Sequence, residues 1–136
     1  MSQLVTVQIQ HIAESMGLVN IDPMELKRIL VQTAFKTETT ATDEQMAALL
    51  IVAGQYNLNP WTKEIYAFPD KNKGIIPVVG VDGWSRIINS NPNLNGIEFN
   101  YSDEMILMDG AKSKAPAWIE VVIHRKDREK PTIVRE

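Results

Sequence analysis

The chain has 136 residues, is 44% apolar and carries a formal net charge of −3. This suits one soluble domain with a modest core and lacks the overall basic balance usual in nucleic-acid-binding domains. It has no cysteine, which excludes disulfide frameworks and thiolate zinc sites. No apolar run approaches the about 18 residues that span a bilayer, and Met1-Ser2-Gln3-Leu4-Val5 lacks the basic and apolar segments of a signal peptide, so cytoplasmic residence is the plain reading.

In chain order, Leu4, Val5, Ile9, Ile12 and Met16 recur near helical spacing over 4–16, and Gly17 ends that helix. Asp22 as N-cap, Pro23 in the first turn and Glu25 in a capping-box-like pair open a second helix. Its stripe is Leu26, Ile29, Leu30 and Ala34, with Phe35 near its end. Thr42-Asp43-Glu44-Gln45 repeats the capping pattern for a third helix, which carries Met46, Leu49, Leu50, Val52, Ala53 and Tyr56 and stops at Asn57 before Pro60.

Beyond Pro60 the period changes. Residues 63–68 alternate as a strand, 69–74 are turn chemistry and 75–81 are a second strand, together a hairpin. Pro77 marks an edge or a bulge. Asp82 is expected to cap a short helix containing Trp84, Ile87 and Ile88, broken at Asn91-Pro92. Further strands are expected at 96–101, 104–108, 116–124 and 132–134, the last reached through the polar turn 125–131. The fold class is therefore α+β: N-terminal helices, a β-hairpin, a short helix and an antiparallel sheet. The final strand meets no covering element before Glu136, and an unpaired edge invites pairing with another chain. A truncated portion of a longer protein is the expectation.

Catalysis has little to stand on. His11 and His124 sit in separate elements, and there is neither a Cys nor a Gly-x-Ser-x-Gly turn to build a nucleophile site. Gly74 and Gly80 are not followed by the Lys-Ser/Thr of a P-loop. Asp70, Asp82, Asp103 and Asp109 are scattered, whereas a nuclease needs two or more carboxylates converging on metal ions. Asp82 has a structural reading as an N-cap and Asp70 as a turn residue. No cofactor and no metal site is expected.

The densest chemistry lies in 58–86, where Trp61, Tyr66 and Trp84 are interleaved with Lys63, Lys71, Lys73 and Arg86. Cations among flat rings suit a surface that holds a nucleic-acid backbone and touches its bases. Large rings are more often core, however. Tyr66 and Phe68 share one strand face, and Ile65, Ala67 and Lys63 the other, so both faces cannot be wet. The charge distribution favours a local groove: residues 1–58 hold three basic against six acidic side chains, and 59–136 hold eleven of each. Attraction to DNA is then weak and strongly salt-sensitive. The pattern puts DNA binding slightly ahead of a generic interaction module, with a metal-dependent DNA-processing enzyme and a structural oligomerisation module as alternatives.

The runs Asn59-Pro60-Trp61-Thr62-Lys63-Glu64-Ile65-Tyr66 and Gly80-Val81-Asp82-Gly83-Trp84 resemble the phage single-strand annealing proteins of the RecT/Redβ (Bet) family, as do Gln32-Thr33-Ala34-Phe35-Lys36 and Arg125-Lys126-Asp127-Arg128. The resemblance covers most of the chain and departs at about 100–120, where Met105–Trp118 is longer and different. It implies that 1–136 is the N-terminal part of a DNA-binding and oligomerisation domain that anneals complementary strands without ATP, as a homo-oligomeric ring or helical filament on single-stranded DNA and annealed duplex. A phage exonuclease and a host single-strand-binding protein are implied as partners through a C-terminal region absent here; no membrane is implied. The DNA-contacting positions carried by the resemblance are Lys36, Lys63, Lys71, Arg86 and Lys126. Lys73 is added by proximity, and Trp61 and Tyr66 border the groove or hold its wall.

Overall fold

The computed structural model describes residues 2–36, 40–72 and 74–136. Among these the chain forms two compact units, Met1–Ile88 and Asn89–Glu136.

The first unit begins with three helices, each opened by a side-chain cap that satisfies otherwise orphaned N–H groups. In α1 (Gln3–Ser15) the Ser2 hydroxyl accepts from the Val5 N–H at 3.3 Å. In α2 (Pro23–Ala34) the Asp22 carboxylate accepts from the Met24 N–H at 3.0 Å, with Pro23 in the first turn. In α3 (Asp43–Tyr56) the expected capping box is complete: Gln45 N–H donates to the Thr42 hydroxyl at 3.1 Å, and Thr42 N–H donates to the Gln45 side chain at 3.0 Å. Glu25 departs from expectation. It makes a fork with Arg28, one turn on, at 3.0 and 2.5 Å instead of reaching back to the cap, because a nearby guanidinium is a stronger partner than a neutral N–H. That guanidinium holds the Glu25 carboxyl below the usual range.

The core is built from Val5, Ile9, Ile12 and Ala13 of α1, Leu26, Leu30 and Ala34 of α2, and Met46, Leu49, Leu50 and Ala53 of α3. Leu4 lies outside it and is exposed, since one position along a helix rotates a side chain about 100° off the Val5–Ile9–Ile12 stripe. The hairpin β1 (Ile65–Pro69) and β2 (Ile75–Val79) closes the core from below, in antiparallel register from Ile65 opposite Val79 to Pro69 opposite Ile75. Ile65 and Ala67 are fully buried, so this face is dry and Tyr66 and Phe68 point the other way. The backbone joins α2 to the strand where Phe35 bridges Ala67 and the Lys36 N–H donates to the Ala67 carbonyl at 2.9 Å. A short helix, α4 (Val81–Asn89), follows. Its first helical bond runs from the Trp84 N–H to the Gly80 carbonyl at 2.9 Å. Asp82 is therefore inside the first turn and not the N-cap, and its charge favours the helix N-terminus from there.

The second unit is a three-stranded antiparallel sheet of β3 (Leu94–Tyr101), β6 (Ile119–Arg125) and β7 (Thr132–Arg135) in the order β3-β6-β7, with a two-residue ribbon of β4 (Met105–Ile106) and β5 (Ala115–Pro116). Phe99 stands opposite Val121, which stands opposite Val134. Trp118 precedes β6 instead of starting it, and the Arg135 guanidinium lies 3.9 Å from its ring centre. The strand expected from 116 is split: Ala115–Pro116 pair with Met105–Ile106 as β5, and the β6 ladder begins at Ile119. The mixed α+β class, helices first and antiparallel strands after, is the observed one.

Candidate nucleic-acid interface

The run from Asn59 to Glu64 folds back on itself as a corner. The Asn59 side-chain oxygen accepts from the Trp61 and Thr62 N–H groups at 2.9 and 3.3 Å, an Asx-type turn that this residue is chemically suited to make. Glu64 N–H then donates to the Asn59 carbonyl at 3.0 Å, and the Asn59 N–H donates to the Glu64 carboxylate at 2.9 Å. Lys63 occupies the left-handed region at φ 61. That turn in the backbone delays the strand to Ile65, so Lys63 does not share the Ile65–Ala67 face; its side chain is exposed.

Glu64 is only 4% exposed. Its carboxylate takes the Asn59 N–H on one oxygen and Arg86 of α4 on the other, as a close ion pair. Its carbonyl accepts from the Gly80 N–H at 2.9 Å. Two glycines make this approach possible. A Cβ on Gly83 would stand 2.2 Å from the Glu64 carbonyl oxygen, and one on Gly80 2.9 Å from that of Lys63. Two of the sequence runs that carry the resemblance are therefore two sides of one joint: the corner 59–64 and the start of α4.

Trp61 is half-buried and donates its indole N–H to the Leu26 carbonyl of α2 at 3.1 Å. It holds a wall. Tyr66 is half-buried on the outer hairpin face, packed edge-to-face on Phe68 with ring centres 6.0 Å apart. The Lys36 ammonium lies 5.7 Å from the Tyr66 ring centre, a cation–π arrangement. Lys71 is exposed at the hairpin tip, where its N–H donates to Asp70. The tip is anchored on α3 by the Gln45 side-chain amide, which donates to the Gly74 carbonyl at 3.1 Å. Lys73 lies outside the described residues. Trp84 is 54% exposed on α4.

Lys126 belongs to the second unit, exposed in the turn between β6 and β7. Its backbone N–H donates to the Asn93 carbonyl at 2.7 Å. Beside it Arg125 forks onto Asp127 at 2.8 and 2.7 Å and holds that carboxyl below its usual range. Among the described residues, no three His, Asp or Glu side chains are arranged to hold a metal ion, and no helix is long and apolar enough to cross a membrane.

A model of the RecT family matches residues 22–135. The chain belongs to the RecT family. It is similar to the "Recombination protein bet" of Escherichia phage lambda, with 52% identity over 125 residues, covering 92% of this chain and 42% of that relative. The chain thus spans less than half the length of the curated relative it matches. The RecT match includes every position named above as a candidate contact. Sequence reasoning singled out the cations and rings around this joint but gave no role to Glu64 or Gly83. The signals were present: an acid at the mouth of an apolar strand and a glycine inside a short helix.

Proposed function

We propose that this RecT-family chain is the DNA-binding and oligomer-forming part of a protein that anneals complementary single strands without ATP in phage-type recombination, with no catalytic chemistry of its own. The observation that carries the reading is the family match over residues 22–135, which include the exposed Lys36, Lys63 and Lys71. Forming a duplex releases about 1.4 kcal/mol per stacked step, so no fuel is required. The protein's task is to gather strands and neutralise phosphates while leaving the pairing edges free.

In this reading Lys36, Lys63, Lys71 and Lys126, with Lys73 by proximity, contact phosphates. Trp61 supports the wall and Tyr66 borders the groove. Arg86 shares its guanidinium with Glu64 and contributes less than an uncommitted cation. Many subunits along one strand bind firmly although each is weak, which reconciles a net charge of −3 with a DNA partner. A phage exonuclease and a host single-strand-binding protein are assigned to parts of the whole protein outside these residues, and the working compartment is the bacterial cytoplasm.

The test is annealing of two complementary fluorescent oligonucleotides without ATP across a salt series. The expected result is acceleration over the protein-free rate that fades as salt rises. No acceleration even at low salt overturns the proposal.

A further inference from the structure

We infer that Phe68 is a base-stacking platform on the outer face of the hairpin, with Tyr66 as its brace and Lys36 as the adjoining phosphate contact. The inference rests on the reading of the chain as a single-strand DNA binder. The inner face of β1 spends Ile65 and Ala67 on the core, both fully buried. The outer face keeps Phe68 at 43% and its cross-strand neighbour Ile76 at 53% exposure. An exposed aromatic on a sheet face beside a cation matches what an unpaired base with its phosphate requires: a flat apolar surface for the ring and a positive charge for the backbone.

The three side chains divide the work by geometry. Lys36 already covers the Tyr66 ring, so Tyr66 is the poorer platform and serves to hold the ammonium in place. The edge-to-face contact between Tyr66 and Phe68, with an interplanar angle of 70°, occupies at most one ring face between them and fixes the Phe68 ring. The platform is also rigid. β1 is tied to the chain two residues after α2 through the Lys36 N–H, and the hairpin tip is tied to α3 through Gln45. Stacking uses the face of a base and leaves its pairing edge open, as annealing demands.

An oligonucleotide with the normal backbone but abasic sugars separates the two contributions. Binding of the full chain to oligo-dT and to the abasic strand is measured by fluorescence anisotropy, with circular dichroism to confirm folding. Phe68→Ala is expected to weaken oligo-dT binding about 5- to 150-fold, the range for losing one stacked base, and to leave abasic binding unchanged. Phe68→Trp is expected to keep oligo-dT affinity. Lys36→Ala is expected to weaken both ligands. If the wild-type chain binds both ligands equally and Phe68→Ala alters neither, the stacking platform is refuted while DNA binding stands. If the wild-type chain binds neither at low salt, the DNA reading falls and takes this inference with it.

Discussion

Two glycines show how much a single methyl group decides. Gly83 packs against the Glu64 carbonyl so closely that an added Cβ would sit 2.2 Å from that oxygen and 2.8 Å from a Val79 methyl. Backbone on one side and a packed strand residue on the other leave little room to yield. Gly83→Ala is expected to destabilise the fold by about 1–3 kcal/mol, the usual cost of overpacking. Gly54 is also helical, in α3, but a Cβ there would meet only Ile12 at 3.6 Å, an ordinary contact. Gly54→Ala is expected to stabilise by roughly 0.5–1 kcal/mol through helix propensity alone. Urea denaturation of both variants checks the opposite signs, and a stable Gly83→Ala would refute the close joint between α4 and the corner. Reading along the chain could not separate these two residues. Both are glycines inside a helix, and only the close approach of Glu64, 19 positions before Gly83, tells them apart.

Among elements, the helices were the most legible because their information is local. Thr42 and Gln45, or Asp22 and Pro23, carry their own start signals within four residues. The partners that lock the helices together are far apart in sequence and were not legible. Asp43 opens α3, yet its carboxylate also takes the Lys27 ammonium of α2 at 2.9 Å and the Ser2 N–H at the start of α1 at 2.7 Å. The Lys27 hydrogen bond, then the Ser2 N–H, hold its carboxyl below the usual aspartate range. Because the folded-state value is the lower one, the contribution to stability is present above the unfolded pKa of about 3.9 and is lost as pH falls through the folded value. Glu25 and Asp127 are lowered in the same way, so acid weakens several sites at once. Asp43→Asn isolates one of them. The melting temperature of the variant is expected to lie below wild type at neutral pH, with the gap narrowing progressively as pH falls below the usual aspartate range; a gap that does not narrow at all would show that Asp43 acts through shape and not charge. The hairpin followed the same division. Its alternation and turn were readable, but which face was dry depended on helices contributed by other parts of the chain.

For the whole molecule, the question is how a chain of net charge −3 would hold the polyanion proposed as its partner. Much of its charge is spent internally: Lys27 on Asp43, Arg28 on Glu25, Arg86 on Glu64, Arg125 on Asp127 and Arg135 on Glu120. Among the described residues of the first unit, Lys36, Lys63 and Lys71 stand outside these pairs and are exposed. Local cations set against internally neutralised neighbours give weak, short-range attraction, screened beyond about 8–10 Å at physiological ionic strength. If each of the three meets one phosphate of a single strand, the logarithm of the binding constant falls with the logarithm of salt at a slope of about −0.7 per contact, near −2 per chain for this unit. Lys63→Ala and Lys71→Ala are each expected to reduce that slope by about 0.7 per chain and to weaken oligo-dT and mixed-sequence strands alike, because phosphate contacts carry no base information. Since both side chains are solvated, circular dichroism should be unchanged. Anisotropy titrations over a salt series check this, and unaltered slopes in both variants would remove these lysines from the interface whatever the annealing activity of the chain.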